Sequence, residues 1–146
     1  MIQNNRPTAI AHIGGGEEYP TLRGTVRFFQ RRSGTLVVAD ISGLPDSETG
    51  FFAFHIHEGD NCRDFGFPNT GGHYDPDGVP HPLHAGDLPP LLSVKGRAYS
   101  QVLTGRFSVE DVVGRTVVIH SGPDDFTTQP SGNPGMKIAC GVIRRA

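Results

Sequence analysis

The chain has 146 residues, with 13 lysines and arginines against 15 acids, a formal net charge of −2. That length fits a single domain, residues 1–146, with a real core, and that charge gives no footing for nucleic acid or an anionic membrane surface. No apolar run approaches the roughly 20 residues of a membrane span, and Met1–Pro7 holds no apolar stretch of leader length, so the chain reads as cytoplasmic as it stands, and as periplasmic or extracellular if a leader was trimmed.

The first half alternates with the strand period of two. Thr8–Ile13 is a short candidate, followed by Leu22–Phe29 and Thr35–Ile41, with Arg32-Ser33-Gly34 suited to a tight connection between the last two. Gly43-Leu44-Pro45-Asp46 ends the third strand, and Gly50–His57 makes a fourth. From Glu58 to Pro90 the periodicity stops, and Gly, Pro, Asp and His dominate. A loop of this length inside a compact domain calls for a functional reason or disorder, and its histidines and acids favour folding around metal. Strand-like segments resume at Leu91–Val94, Gly96–Leu103, Thr116–His120 and Lys137–Ile143, with a single helical turn over Ser108–Val113. About eight short strands with long loops between some of them predict an all-β antiparallel sandwich or barrel.

Three groups of histidines carry the chemistry. In Phe54-His55-Ile56-His57, residues two apart share a strand face, so His55 and His57 point together while Phe52, Phe54 and Ile56 point to the opposite side. The apolar set can fill the core while the imidazoles face outward. The second group is His73, His81, His84 and Asp87. It supplies four nitrogen and oxygen donors of the kind zinc takes tetrahedrally, and four protein ligands close the site, which argues for structural rather than hydrolytic zinc. His120 ends Val117-Val118-Ile119-His120 and shares parity with Val118, opposite Val117 and Ile119. Joined to His55 and His57 it completes an all-imidazole set that suits Cu(II). His12 is left without a role. Cys62 and Cys140 permit one intrachain pairing, and for a cytosolic chain two free thiols are the plainer reading.

Six stretches, in order, resemble the copper–zinc superoxide dismutase family over nearly the whole chain. They are Gly24–Phe28, Phe54–Glu58, Gly72–Pro76, His84–Leu88, Gly114–His120 and Ala139–Ile143, and Asp75-Pro76 with Leu88-Pro89 is closer to bacterial members. The resemblance implies an eight-stranded Greek-key β-barrel or sandwich, immunoglobulin-like, with long metal-binding and active-site loops. It implies copper on His55, His57, His73 and His120 and zinc on His73, His81, His84 and Asp87, with His73 bridging the two. It further implies that Asp124 accepts hydrogen bonds from His55 and His81, that Cys62 and Cys140 form a disulfide, and that Arg115 supports the long loop through backbone carbonyls. The implied activity is disproportionation of superoxide anion to dioxygen and hydrogen peroxide by copper cycling between Cu(II) and Cu(I).

Three departures qualify that resemblance. Lys137 stands where the family usually has arginine beside the anion's approach, keeping the charge but losing the planar fork, which predicts an active enzyme with weakened anion capture. The segment between His120 and Lys137 is shorter than in eukaryotic members and lacks their Glu/Lys-rich guidance residues. Arg144-Arg145 stands where eukaryotic chains run apolar into a dimer interface, and burying those charges unpaired is costly, which disfavours that dimer. Three other functions compete with the dismutase reading. They are a non-catalytic copper/zinc binder of the same fold, an interaction module on a sandwich scaffold, and a zinc hydrolase with Glu58 or Asp75 as base. The last leaves the strand histidines unexplained.

Overall fold

A computed structural model describes residues 6–146, and the opening residues Met1–Asn5, on which part of the reading of an absent leader rests, lie outside them. Eight strands form one antiparallel sheet: β1 (Ala9–Gly15), β2 (Arg23–Arg31), β3 (Gly34–Ser42), β4 (Phe51–His57), β5 (Asp87–Leu92), β6 (Ala98–Thr104), β7 (Thr116–His120) and β8 (Lys137–Arg145). Their spatial order is β5-β4-β7-β8-β1-β2-β3-β6. The two ends of that order, β5 and β6, approach each other, so the sheet is a nearly closed barrel. The connections from β3 to β4 and from β6 to β7 cross it, which is the Greek-key pattern.

Alternation decides what fills the barrel. Ala9, Ala11 and Ile13 of β1, Val26 and Phe28 of β2, Val37, Ala39 and Ile41 of β3, Phe52, Phe54 and Ile56 of β4, and Val117 and Ile119 of β7 all enter one buried cluster. A side chain of the size of Phe52 or Phe54 gains about 1.5–3 kcal/mol from leaving water. Because β4 and β7 are neighbours, with Phe54 opposite Ile119 and His55 opposite Val118, their outward parity brings His55, His57 and His120 to one face.

Two boundaries differ from the sequence reading. The expected loop 58–90 ends early, because β5 begins at Asp87 and carries Pro89-Pro90 within it. Leu88 and Leu91, three apart, both face the core, opposite Phe54 and Phe52, which are two apart. The extra residue is a β-bulge that breaks strict alternation, and a strand at the end of the sheet order tolerates prolines that cannot donate on its open side. The strand-like segments expected at Leu91–Val94 and Gly96–Leu103 are joined by a tight hairpin turn at Lys95-Gly96. Both residues have positive φ (52° and 79°) between the bridged pair Val94 and Arg97, so β6 starts two residues later than expected. The helical turn is α1 (Val109–Val112), closed by a capping box between Ser108 and Asp111.

Candidate metal centre

The histidines that the strands turn outward are not exposed. His55, His57, His73, His81, His84 and His120 are all 0–7% accessible, because residues 58–86 fold back over β4 and β7. Backbone bonds hold that return in place. Ile56 N donates to Gly86 O, Tyr74 N to Ile56 O and Gly86 N to Tyr74 O, so Tyr74 and Gly86 flank the outer strand. His73 forms a bridge with His57. Asp87, read from sequence as a loop residue, sits opposite His55 in β5. The sheet therefore positions this carboxylate directly.

Around Asp87 the donors converge. Its Oδ1 lies 2.8 Å from His73 Nδ1, and its Oδ2 lies 3.1 Å from both His81 Nδ1 and His84 Nδ1. His73 Nδ1 and His84 Nδ1 are 3.2 Å apart. A tetrahedral ion with bonds of about 2.0–2.1 Å has donors about 3.3 Å apart, close to these spacings. Two overlapping groups of donors lie within 4.8 Å of one another: His55, His73, His81 and Asp87, and His55, His57 and His120. The rings of His55 and His73 are 4.0 Å apart, and those of His57 and His73 are 5.0 Å apart.

The decisive feature is which polar atoms lack partners. His55 Nδ1, His57 Nε2, His73 Nε2, His81 Nδ1 and His120 Nδ1 are buried without a hydrogen bond, and Asp87 Oδ1, 2.8 Å from His73 Nδ1, lacks a well-aligned one. Leaving a buried polar atom unpaired costs about 1–3 kcal/mol, and among the described residues no other buried side-chain nitrogen or oxygen is unpaired. Six in one place fit cations that take lone pairs. The opposite nitrogens are committed. His55 Nε2 donates to Asp124 Oδ2 at 2.8 Å, His81 Nε2 to Asp124 Oδ1 at 2.7 Å, and His57 Nδ1 to the Gly71 carbonyl at 2.8 Å. Each such bond fixes the tautomer and leaves the other nitrogen's lone pair inward.

Electrostatics agree with neutral rings at His55, His57 and His120 and with ionised Asp87 and Asp124. Burial, reinforced by neighbouring rings, pushes His57 down to about 2 and His120 down to about 3, and burial also lowers His55 despite its bond to Asp124. Burial alone would raise Asp124, but the bonds from His55, His81 and Phe126 N outweigh it and hold the carboxyl well below its ordinary value. Asp87 is lowered in the same way, its burial outweighed by His73, His81 and His84.

The model of the family described as copper/zinc superoxide dismutase matches residues 22–143. The chain belongs to that family. A relative named superoxide dismutase (Cu-Zn) 2, from Aquifex aeolicus, is 38% identical over 83% of this chain and 78% of its own length. The copper chaperone for superoxide dismutase of Rattus norvegicus is 34% identical over 97% of this chain but 54% of its own. Among solved structures, a superoxide-dismutase-like protein from Bacillus subtilis superimposes with a TM-score of 0.78 at 25% identity, covering 91% of this chain and 96% of that one.

Residues around the dismutase-family centre brace it. Cys62 and Cys140 form a disulfide, and with Phe67 and Val118 they make a small second core under the long loop. Arg115 donates to the Asp111 and Glu58 carbonyls and stacks 4.2 Å over Tyr74. Lys137 Nζ donates to Thr70 Oγ1 at 2.7 Å and to Gly71 O at 3.3 Å, at a cavity of about 460 Å³ that His57, His73 and His120 also line. Of the competing bases, Glu58 is exposed, and Asp75 Oδ2 stays 3.8 Å from His84 Nε2. His12 lies exposed on β1, away from the cluster.

Sequence reasoning missed four residues, one of them Thr70 at Lys137. Gln129 clasps His81 with both amide atoms, Oε1 accepting from His81 N and Nε2 donating to His81 O. Arg106 donates to the Pro82 and His84 carbonyls from across the barrel mouth. Gly132 has φ +84°, and a Cβ there would strike Asp124 and lie 2.6 Å from His81 Nε2. Only the Gly132 signal was local, as a glycine between polar residues.

Proposed function

We infer that this protein is a copper–zinc superoxide dismutase that converts two superoxide anions and two protons to dioxygen and hydrogen peroxide. His55, His57, His73 and His120 would hold copper, and His73, His81, His84 and Asp87 would hold zinc. The observation that carries the assignment is His73, whose Nδ1 faces Asp87 and His84 while its Nε2 is buried and unpartnered beside His55 and His57. Bound copper supplies a one-electron couple able to take an electron from one superoxide and return it to another, while zinc is redox-silent.

The chain's own groups do the rest. Asp124 holds His55 and His81 with their Nδ1 lone pairs inward, so one carboxylate orients a residue of each donor set. Burial keeps the His55, His57 and His120 rings neutral and ready to bind. Loss of both ring protons from His73 is costly unless a cation sits at each nitrogen, and His73 Nε2 is then the atom that can take up a proton destined for peroxide. Lys137 keeps positive charge at the cavity that leads to the rings, attracting a small anion. At the chain end Arg145 pairs with Glu110, whereas burying Arg144 unpaired in a dimer through this edge would be costly.

Protein loaded with one copper and one zinc should consume superoxide catalytically, and loading with zinc alone should not. The relation to copper chaperones favours one second reading, a metal carrier of the same fold. Superoxide decay no faster than in buffer, with both metals bound, would select it.

A further inference from the structure

Lysine at position 137 is a flexible point charge where a planar guanidinium would orient itself, yet its ammonium is held in a definite place. Thr70 is fully buried, and its hydroxyl proton goes to the Phe67 carbonyl at 3.0 Å. An ammonium has no acceptor, so the same oxygen can meet Lys137 only by accepting, and Nζ lies 2.7 Å away. A second N–H reaches Gly71 O, the carbonyl that also accepts from His57 Nδ1. One N–H of the three stays free for the cavity. Phe67 in turn packs on Val118 and the Cys62–Cys140 disulfide, and Pro68–Thr70 is a single 3₁₀ turn that sets Thr70 over Phe67. A rigid path thus runs from the disulfide through Phe67 and Thr70 to the cation.

We propose that Thr70 is a positioning residue for anion capture, converting a mobile ammonium at the metal cavity into a directed donor that holds a small anion. The proposal rests on the dismutase reading of the site, and it accounts for how lysine serves where the family usually has arginine.

The test uses Thr70→Val, which keeps the branched shape and loses the hydroxyl, and Thr70→Ser, which keeps the hydroxyl. Azide is titrated into copper- and zinc-loaded protein and followed in the visible spectrum. Thr70→Val weakens azide binding about tenfold, equivalent to about 1.4 kcal/mol, while Thr70→Ser stays within about twofold of wild type. Adding Lys137→Arg to Thr70→Val restores most of the affinity, because a guanidinium orients itself. In metal-free protein, Thr70→Val raises the rate at which an acylating reagent modifies Lys137 severalfold, and Thr70→Ser does not.

Unchanged azide affinity and unchanged acylation in Thr70→Val would overturn the proposal, as would equal losses in Thr70→Val and Thr70→Ser. Wild-type protein that binds no azide at copper overturns it too. Azide affinity that follows this pattern in a protein that does not consume superoxide overturns only the dismutase reading.

Discussion

Replacing Asp124 with asparagine removes one acceptor from a group that serves two imidazoles. In the native protein Oδ2 accepts from His55 Nε2 at 2.8 Å, and Oδ1 accepts from His81 Nε2 at 2.7 Å and from Phe126 N at 2.8 Å. An amide keeps one carbonyl oxygen and turns the other position into a donor. One ring N–H then faces an N–H. Either that bond is lost or the ring takes the other tautomer, which puts its proton on the Nδ1 that should face metal. A hydrogen bond to a charged partner contributes about 1.5–3 kcal/mol, so the metal-free variant should melt about 5–10 °C lower. Loss of an orienting partner of this kind costs about 10–100-fold in metal affinity. The assay is competition of copper and zinc separately against chelators of known strength. One metal should weaken by that factor and the other less, the weaker site reporting which way the amide turned. Two unchanged affinities would refute the idea that Asp124 orients both donor sets.

Acid should destabilise the metal-free protein before any carboxylate titrates. His57 and His120 stay neutral when folded, at about 2 and about 3, so below pH 6.5 the unfolded chain takes up protons that the folded one refuses. Stability is therefore complete above pH 6.5 and falls by up to about 5 kcal/mol between pH 6.5 and 4.5, and urea titrations that gave a flat profile over that range would contradict it. Lys137→Gln should lower the superoxide rate about tenfold and flatten its dependence on ionic strength, as read by stopped-flow decay at several salt concentrations. Cys140→Ala removes a link across a sequence separation of 78 and should lower unfolding free energy by about 4 kcal/mol in denaturant titrations. Gly132→Ala should loosen the Asp124 brace, seen as weaker retention of zinc against a chelator, because the added methyl strikes Asp124 beside His81.

What the sequence made legible follows the reach of its periodicities. The parity of His55 and His57 against Phe52, Phe54 and Ile56, and of His120 against Val117 and Ile119, is local, and it survives intact in β4 and β7. An all-β sandwich or barrel was legible for the same reason, and its eight-stranded Greek-key form followed from the family resemblance. Asp87 was misplaced because a bulge at Pro89-Pro90 sets Leu88 and Leu91 three apart on one face, a spacing that strict alternation does not report. Burial of the outward histidines depends on residues 58–86 folding back, and nothing periodic in that segment announces its path. Gln129 and Arg106 act on backbone atoms 48 and 22–24 residues away, so no neighbouring pattern marks them. The disulfide followed from family resemblance, since two cysteines and a cytosolic reading favour free thiols. The contact of Thr70 with Lys137 spans 67 residues and was equally invisible.

The central claim is that His73 gives one nitrogen to each of two cations. It is tested most directly by the spin-resonance spectrum of copper(II) in the protein, first with diamagnetic zinc and then with paramagnetic cobalt(II) in zinc's place. A shared imidazole couples the two spins, so the copper signal should be strong beside zinc and largely lost beside cobalt. A copper signal of full intensity and unchanged shape beside bound cobalt would contradict the account.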